Sequence, residues 1–198
     1  MKLLAFSDLH ASGKQAASLV EAAQNADLVI GAGDFCNARR GLDEALALLD
    51  GIRAPMVLVP GNAESAEELR AAAGNRANVL HGDGIEFEGR LLLFGLGYGV
   101  PLTPFGDWSC DLTEEQAETM LADCKAADIL ITHSPPKGVV DQTSQGISVG
   151  STAIRAAIER IKPGLVLCGH IHDSWQQQGR IGETRVVNLG PFANWFEL

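Results

Sequence analysis

The chain has 198 residues, of which 46% are hydrophobic and 20% charged, enough to build one sizeable core. Its 15 basic and 25 acidic side chains give a formal net charge of −10. Such a surface repels long polyanions, which argues against binding of extended nucleic acid. A small phosphate ester remains possible, because bound cations can reverse the local sign. The first apolar run stops at Asp8, too early for a signal peptide or membrane span, and the four scattered cysteines form no Cys-x-x-Cys pair. We therefore expect a cytoplasmic protein with no membrane partner.

Short apolar runs of strand length alternate along the chain with segments of helical periodicity. The runs cover residues 2–7, 28–31, 56–59, 128–132 and 165–168. Their nearly continuous apolar character predicts strands buried on both faces. Apolar residues at helical spacing predict helices over 42–49, 117–124 and 154–161. Thr113 with Gln116 is typical of a capping box, and Ser151 of an N-cap.

The middle and the C-terminal part predict further strands. Residues 78–80, 85–88 and 91–95 indicate short strands joined by Gly turns, while 175–178 and 184–189 indicate a hairpin. This mixture favours one α/β domain over residues 1–198, with two sheets and the helices outside them.

The loop over 97–108 is long and rich in Gly and Pro. Loops of this length are often functional, but a plain surface connection is an equal alternative. Its aromatic residues Tyr98, Phe105 and Trp108 could form a lid over an apolar or planar leaving group, or could simply pack.

Polar side chains follow five of the predicted strands at the point where each strand ends. They are Asp8, His10, Asp34, Asn62, His133, His170 and His172. Ligands of open α/β sheets bind outside the carboxyl ends of the strands. We therefore expect these seven side chains to converge on one rim.

The chemistry of this set points to transition metals. Imidazole with carboxylate suits Mn, Fe, Zn, Co or Ni, and the absence of thiolates argues against a Cys-type structural zinc site. Two carboxylates and four histidines exceed the needs of one ion. They suffice for two divalent ions if one carboxylate bridges them, an arrangement that can hold both the attacking and the leaving oxygen of a phosphoryl displacement.

The ordered set Asp8-x-His10, Gly33-Asp34, Gly61-Asn62, His133 and Gly169-His170-x-His172 resembles the calcineurin-like metallophosphoesterases. The resemblance implies a four-layer α/β/β/α sandwich with two mixed sheets. It also implies one ion held by Asp8, His10, Asp34 and His172, and a second by Asp34, Asn62, His133 and His170. Asp34 would then bridge the ions, and a hydroxide between them would attack the phosphorus, with manganese the leading candidate metal. Asp34, Asn62 and His133 are the expected catalytic residues.

The sequence departs from the family pattern at the expected general acid. The family has Gly-Asn-His followed by an acidic residue, whereas this chain has Gly61-Asn62-Ala63-Glu64. General-acid catalysis contributes about 10²–10⁴-fold, so the loss should matter most for poor leaving groups. Asn37 stands where the family often has a second Asp.

Arg39 and Arg40 follow the same motif and could face a phosphate, although surface charges of this kind are more often simply solvated. Together with Asn37 they are our candidates for substrate contact.

We therefore expect a phosphodiesterase that acts on a small phosphoester without a general-acid histidine. Two alternatives stay open. One is a phosphomonoesterase or pyrophosphatase in which another group supplies the proton. The other is a non-catalytic, metal-bound scaffold, which the intact ligand set argues against.

Simpler structural roles compete at several positions. Asn62 could cap the following helix and Glu64 could only favour its first turn, while His81 and Asp83 fit a turn. The Gly- and Ser-containing segment 134–151 could offer backbone donors to a phosphate where the helix over 154–161 begins. Asp141 within it could orient His133 or His170.

Overall fold

The computed structural model describes all 198 residues and contains eleven strands and five helices. In chain order they are β1 (Lys2–Phe6), α1 (Gly13–Ala22), β2 (Leu28–Ala32), α2 (Leu42–Ala47), β3 (Met56–Val59), α3 (Ala66–Ala73), β4 (Ala77–Val79), β5 (Asp83–Phe87), β6 (Leu91–Leu96), α4 (Glu114–Leu121), β7 (Ile129–Thr132), α5 (Thr152–Ile161), β8 (Leu165–Cys168), β9 (Gln178–Ile181), β10 (Thr184–Asn188) and β11 (Asn194–Glu197). Short 3₁₀ turns span Ala23–Asn25 and His172–Ser174.

The strands form two mixed sheets. The first has the order β11-β1-β2-β3-β4, and the second the order β5-β6-β7-β8-β10-β9. Strands β1 to β4 run parallel with β11 antiparallel at the edge. Strands β6, β7, β8 and β10 run parallel, with β5 and β9 antiparallel at the two edges. The parallel strands of each sheet therefore end along one edge.

Three apolar clusters separate four layers. One joins the facing sides of the two sheets, and includes Ala5, Ile30 and Val57 from the first sheet with Leu93 and Ile131 from the second. A second cluster packs the outer face of the second sheet against α4 and α5. A third packs the outer face of the first sheet against helices α1 to α3. The α/β/β/α architecture is thus confirmed.

The helix starts follow from local chemistry. Ser65 and Thr113 each form a capping box, with Glu68 and Gln116 respectively, and Ser151 caps α5 through the backbone N–H of Ile154. The predicted roles of Thr113 and Ser151 are confirmed. Ser65, rather than Asn62, caps the helix that follows the third strand.

The central strands lie where the apolar runs place them, and so does the second strand of the C-terminal hairpin. The first strand of that hairpin is Gln178–Ile181, not 175–178. The chain forms a 3₁₀ turn at His172–Ser174 before it, and Trp175 leaves that turn to pack on the ring of His172, with 4.3 Å between ring centroids. No helix is long and apolar enough to cross a bilayer.

Candidate metal centre

The seven predicted side chains meet beyond the carboxyl ends of the strands. Asp8, His10 and His172 form one cluster, and Asp34, His133 and His170 form another, each with ligand atoms within 4.8 Å of one another. Asn62 joins the second cluster, because its Oδ1 lies 3.2 Å from His133 Nε2. Residues far apart in sequence therefore converge as expected.

Asp34 lies between the two clusters. Its Oδ2 is 3.6 Å from His10 Nε2, and its Oδ1 is 3.4 Å from His133 Nε2. Within the first cluster, His10 Nε2 is 3.2 Å from His172 Nε2, and within the second the rings of His133 and His170 lie with 4.9 Å between centroids. One carboxylate therefore faces an imidazole of each cluster, as a bridging ligand requires.

Backbone carbonyl groups fix two of the imidazole rings. His133 Nδ1 donates to the carbonyl of Ala32 at 2.8 Å, and His10 Nδ1 lies 3.2 Å from the carbonyl of Cys36. Each contact leaves Nε2 as the ligand atom, which is how metal-binding histidines are usually oriented. The lone pair of His133 Nε2 then faces the oxygens of Asp34 and Asn62. Acceptor atoms at this distance repel one another unless a proton or a cation lies between them, so the donor set fits a metal.

Asp8 is held by three neighbours. Ser7 Oγ donates to its Oδ2 at 2.5 Å, Trp175 Nε1 to the same oxygen at 3.0 Å, and the backbone N–H of His170 to Oδ1 at 3.0 Å. His172 Nε2 is 3.8 Å from Oδ1. The indole of Trp175 is thus part of the site, a role that the sequence interpretation missed when it placed this residue in a strand.

The pKa values of the second cluster are strongly shifted. Burial opposes ionisation of Asp34, but His133, His10 and His170 outweigh it, so the pKa of this carboxyl lies well below its usual range. Burial lowers the pKa of His133, but the charge of Asp34 outweighs burial and raises this pKa to about 9. Burial, together with the charge of His133, lowers the pKa of His170 to about 3. A charged carboxylate and a neutral imidazole are the forms that bind cations, and metal binding would displace the proton of His133.

The backbone at the site is held in an unusual conformation. Asp8, His10, Asp34 and His170 all have positive φ, between 47° and 66°. Residues other than glycine rarely adopt this backbone region, and those that do are concentrated at functional sites. Gly61 is required beside them, because a Cβ there would lie 2.1 Å from Asp34 Oδ1.

Comparison with known families agrees with this geometry. The family model of the calcineurin-like phosphoesterase superfamily domain matches residues 1–197. The chain belongs to this superfamily. A search among curated proteins found no match. Members of this superfamily use dinuclear metal centres, consistent with the two clusters on either side of Asp34.

Solved structures share the metallophosphoesterase fold. The protein TT1561 of Thermus thermophilus is 20% identical, with a TM-score of 0.73 over 96% of this chain and 88% of that chain. A dimetal phosphatase from Danio rerio is 12% identical, with a TM-score of 0.63 over 96% and 88%. A structure described as a novel archaeal phosphodiesterase is 16% identical, with a TM-score of 0.53 over 96% and 84%.

Ala63 stands in this metallophosphoesterase where the family pattern has histidine. The residue is 2% exposed, its backbone N–H donates to Asp34 Oδ1 at 2.8 Å, and its carbonyl accepts from the backbone of Arg39 at 2.8 Å. Its main chain therefore still positions Asp34, but its methyl group offers no proton. The fifth histidine, His81, packs on Tyr98 and accepts from the backbone N–H of Gly97, so it is more than a turn residue.

The candidate substrate contacts differ in their surroundings. Asn37 Nδ2 donates to the carbonyl of His10 at 3.0 Å, beside the first cluster. The guanidinium of Arg39 pairs with Glu68 of α3 at 2.8 Å, which draws its charge toward that helix. Arg40 is exposed.

Glu64 has a structural role much larger than helix initiation. Its buried carboxylate accepts backbone N–H groups of Gly61 at 2.7 Å, Asp34 at 2.8 Å and Phe35 at 3.1 Å. Burial and the charge of Asp34 raise the pKa of this carboxyl to about 7. Glu64 thus ties the loop after β2 to the loop after β3, and these loops carry Asp34 and Asn62.

A second group of polar residues supports Asn62. Its Nδ2 donates to Ser109 Oγ at 3.0 Å, and Ser109 in turn donates to Asp111 Oδ1 at 2.8 Å. Thr103 Oγ1 also donates to Asp111, at 2.7 Å. The hydrogen bond to Ser109 directs Asn62 Oδ1 toward His133. The sequence shows no motif for Ser109 or Asp111, so these residues could not be predicted.

Two expectations for segment 134–151 are wrong. The carboxylate of Glu114 already accepts from the backbone N–H groups of Thr152 and Ala153, at 2.9 and 2.8 Å, so the start of α5 has no free donors for a phosphate. Asp141 Oδ2 accepts from Gly138, Ser148 and Gly150 and organises its own loop rather than a histidine.

Proposed function

We propose that this protein is a phosphodiesterase that uses two divalent transition-metal ions. The first ion would be held by Asp8, His10, Asp34 and His172, and the second by Asp34, Asn62, His133 and His170. The position of Asp34 carries the proposal, because its two oxygens face imidazoles of different clusters. Nitrogen and oxygen donors without thiolates favour manganese, with iron, zinc, nickel or cobalt as substitutes.

Ions of this kind, when bound, make water a nucleophile at neutral pH and neutralise the charge of a phosphoryl group. The chain's own residues prepare the site for them. Ser7, Trp175 and the backbone N–H of His170 hold Asp8 in place. Carbonyl groups fix the rings of His10 and His133, and Ser109 fixes the amide of Asn62. Such preorganisation lowers the cost of assembling the reactive geometry.

Ala63 supplies no proton to a leaving group, so esters that release a stable anion are preferred, whether diester or monoester. The charge of the chain favours a diester, because a diester carries one negative charge where a monoester carries two, and the net charge of −10 disfavours the latter. Solved structures of this fold include both a phosphodiesterase and a dimetal phosphatase, so the fold is compatible with either class of ester. Asn37 and Arg40 are our candidates for contact with the phosphoryl oxygens, while Arg39 remains with Glu68.

The proposal is tested by turnover of bis(p-nitrophenyl) phosphate and p-nitrophenyl phosphate with added Mn²⁺. We expect hydrolysis of the diester to exceed that of the monoester, and Asp34→Asn to abolish most of it. The matched control is Asp27→Asn, a carboxylate exposed at the opposite end of β2. Failure to hydrolyse either compound with both metal sites filled would favour a non-catalytic scaffold. Preference for the monoester would favour a phosphomonoesterase.

A further inference from the structure

A pocket of about 460 Å³ opens beside the second cluster of candidate metal ligands. His170 forms part of its wall, together with Val100, Leu102 and Phe105 from the loop after β6 and Ile171 from the loop after β8. Pockets of about 300–1,000 Å³ accommodate small organic groups. A substrate whose phosphoryl group reaches His170 must place one of its organic groups either in this pocket or in solvent.

The pocket wall is held in place by hydrogen bonds within its loop and to the segment after β7. Gly99 donates to the carbonyl of Cys110 at 2.9 Å, Val100 to Ser134 Oγ at 2.8 Å, and Thr103 to Asp111 Oδ2 at 2.8 Å, each through the backbone N–H. A wall fixed in this way need not be ordered when a ligand binds, which favours affinity.

The pocket wall includes an exposed aromatic ring, Phe105, which stacks on a second exposed ring, Trp108. Phe105 is 48% and Trp108 37% exposed, and their rings stack with centroids 5.8 Å apart and an angle of 12° between planes. The ring of Phe105 also approaches His170 edge-on, with 6.3 Å between centroids. Exposed aromatic groups next to a polar site offer apolar contact area to a ligand.

The charged residues of the pocket are one anion and one cation. Glu114 accepts from Ser151, Thr152 and Ala153 at the start of α5, and Lys137 Nζ donates one of its three N–H groups to the carbonyl of Ser148 at 2.6 Å. Their opposite charges leave the pocket wall without a net charge that would attract a second phosphate.

We propose that this pocket binds one organic group of the diester, and that the group is uncharged, apolar and planar enough to lie against Phe105. This inference rests on the proposed function and adds the class of substrate. It makes Leu102 and Phe105 specificity-determining residues, distinct from the metal ligands.

The test compares the binding of phenylphosphonate and methylphosphonate to the manganese-loaded protein by titration calorimetry. Both ligands present the same anionic group, so the difference between their affinities measures the contribution of the pocket. We expect phenylphosphonate to bind about tenfold tighter, because its ring leaves water. Phe105→Ala should weaken phenylphosphonate about fivefold and leave methylphosphonate unchanged. Trp195→Ala, which removes an exposed aromatic ring from β11, is the matched control and should change neither.

Equal affinities for the two phosphonates, with diester turnover retained, would overturn the pocket inference alone. A phenyl preference that survives in Phe105→Ala and in Leu102→Ala would also overturn it. If neither phosphonate binds and bis(p-nitrophenyl) phosphate is not hydrolysed, the proposed function fails as well.

Discussion

Removal of the Glu64 carboxylate should uncouple the two loops that carry Asp34 and Asn62. In Glu64→Ala, the backbone N–H groups of Gly61, Asp34 and Phe35 lose their acceptor in the protein interior. Each unsatisfied buried donor costs about 1–3 kcal/mol, and water entering the vacated space recovers part of this. We expect a loss of about 3–6 kcal/mol, a large share of the 5–15 kcal/mol typical of a domain.

Urea unfolding of the metal-free protein measures this loss directly. Glu67→Ala is the matched control, because Glu67 lies exposed in the first turn of α3. Surface substitutions of this kind change stability by about 0.5 kcal/mol or less. If Glu64→Ala and Glu67→Ala unfold at the same urea concentration, the reasoning about the tied loops is refuted.

Three further predictions concern single residues. Ser109→Ala should weaken metal binding about tenfold in a manganese titration, because the Asn62 amide loses its acceptor; unchanged affinity would contradict this. Ala63→His should raise turnover of diesters with alkoxide leaving groups more than that of p-nitrophenyl esters, measured as a leaving-group series; an equal effect on both would show that proton donation is irrelevant there. Burial, followed by the charge of Arg70, lowers the pKa of His81 from 6.5 to about 4, so the folded state binds fewer protons than the unfolded state. The contribution of His81 to stability should therefore be constant above pH 6.5 and fall by about 3 kcal/mol toward pH 4. His81→Asn should flatten this profile in chemical unfolding, and an unaltered profile would assign the loss to other groups.

The fold and the candidate metal ligands could be predicted from the sequence because their signals are local. Each central strand is a nearly continuous apolar run, and each candidate ligand lies within a few residues of the end of such a run, as Asp34 does after β2. Strand β11 carries no such run, since Trp195 and Glu197 point to the exposed face while Phe196 is buried. Helix α1 was also missed, although its buried Ala16 and Leu19 share one face.

The supporting residues could not be predicted, because their partners are distant in sequence. Glu64 follows Asn62 and resembles a residue of a helix start, but two of its acceptor contacts reach Asp34 and Phe35 across the neighbouring loop. Trp175 reaches Asp8 from the other end of the chain. Glu114 occupies the start of α5, where the Gly and Ser residues of the loop had indicated phosphate binding.

The central claim is that Asp34 bridges a pair of divalent ions. A crystal structure of the protein grown with manganese, with anomalous data, tests it most directly. We predict two anomalous peaks about 3.5–4 Å apart, with one Asp34 oxygen next to each, and loss of both peaks in Asp34→Asn. A single peak, or peaks that do not contact Asp34, would contradict the account.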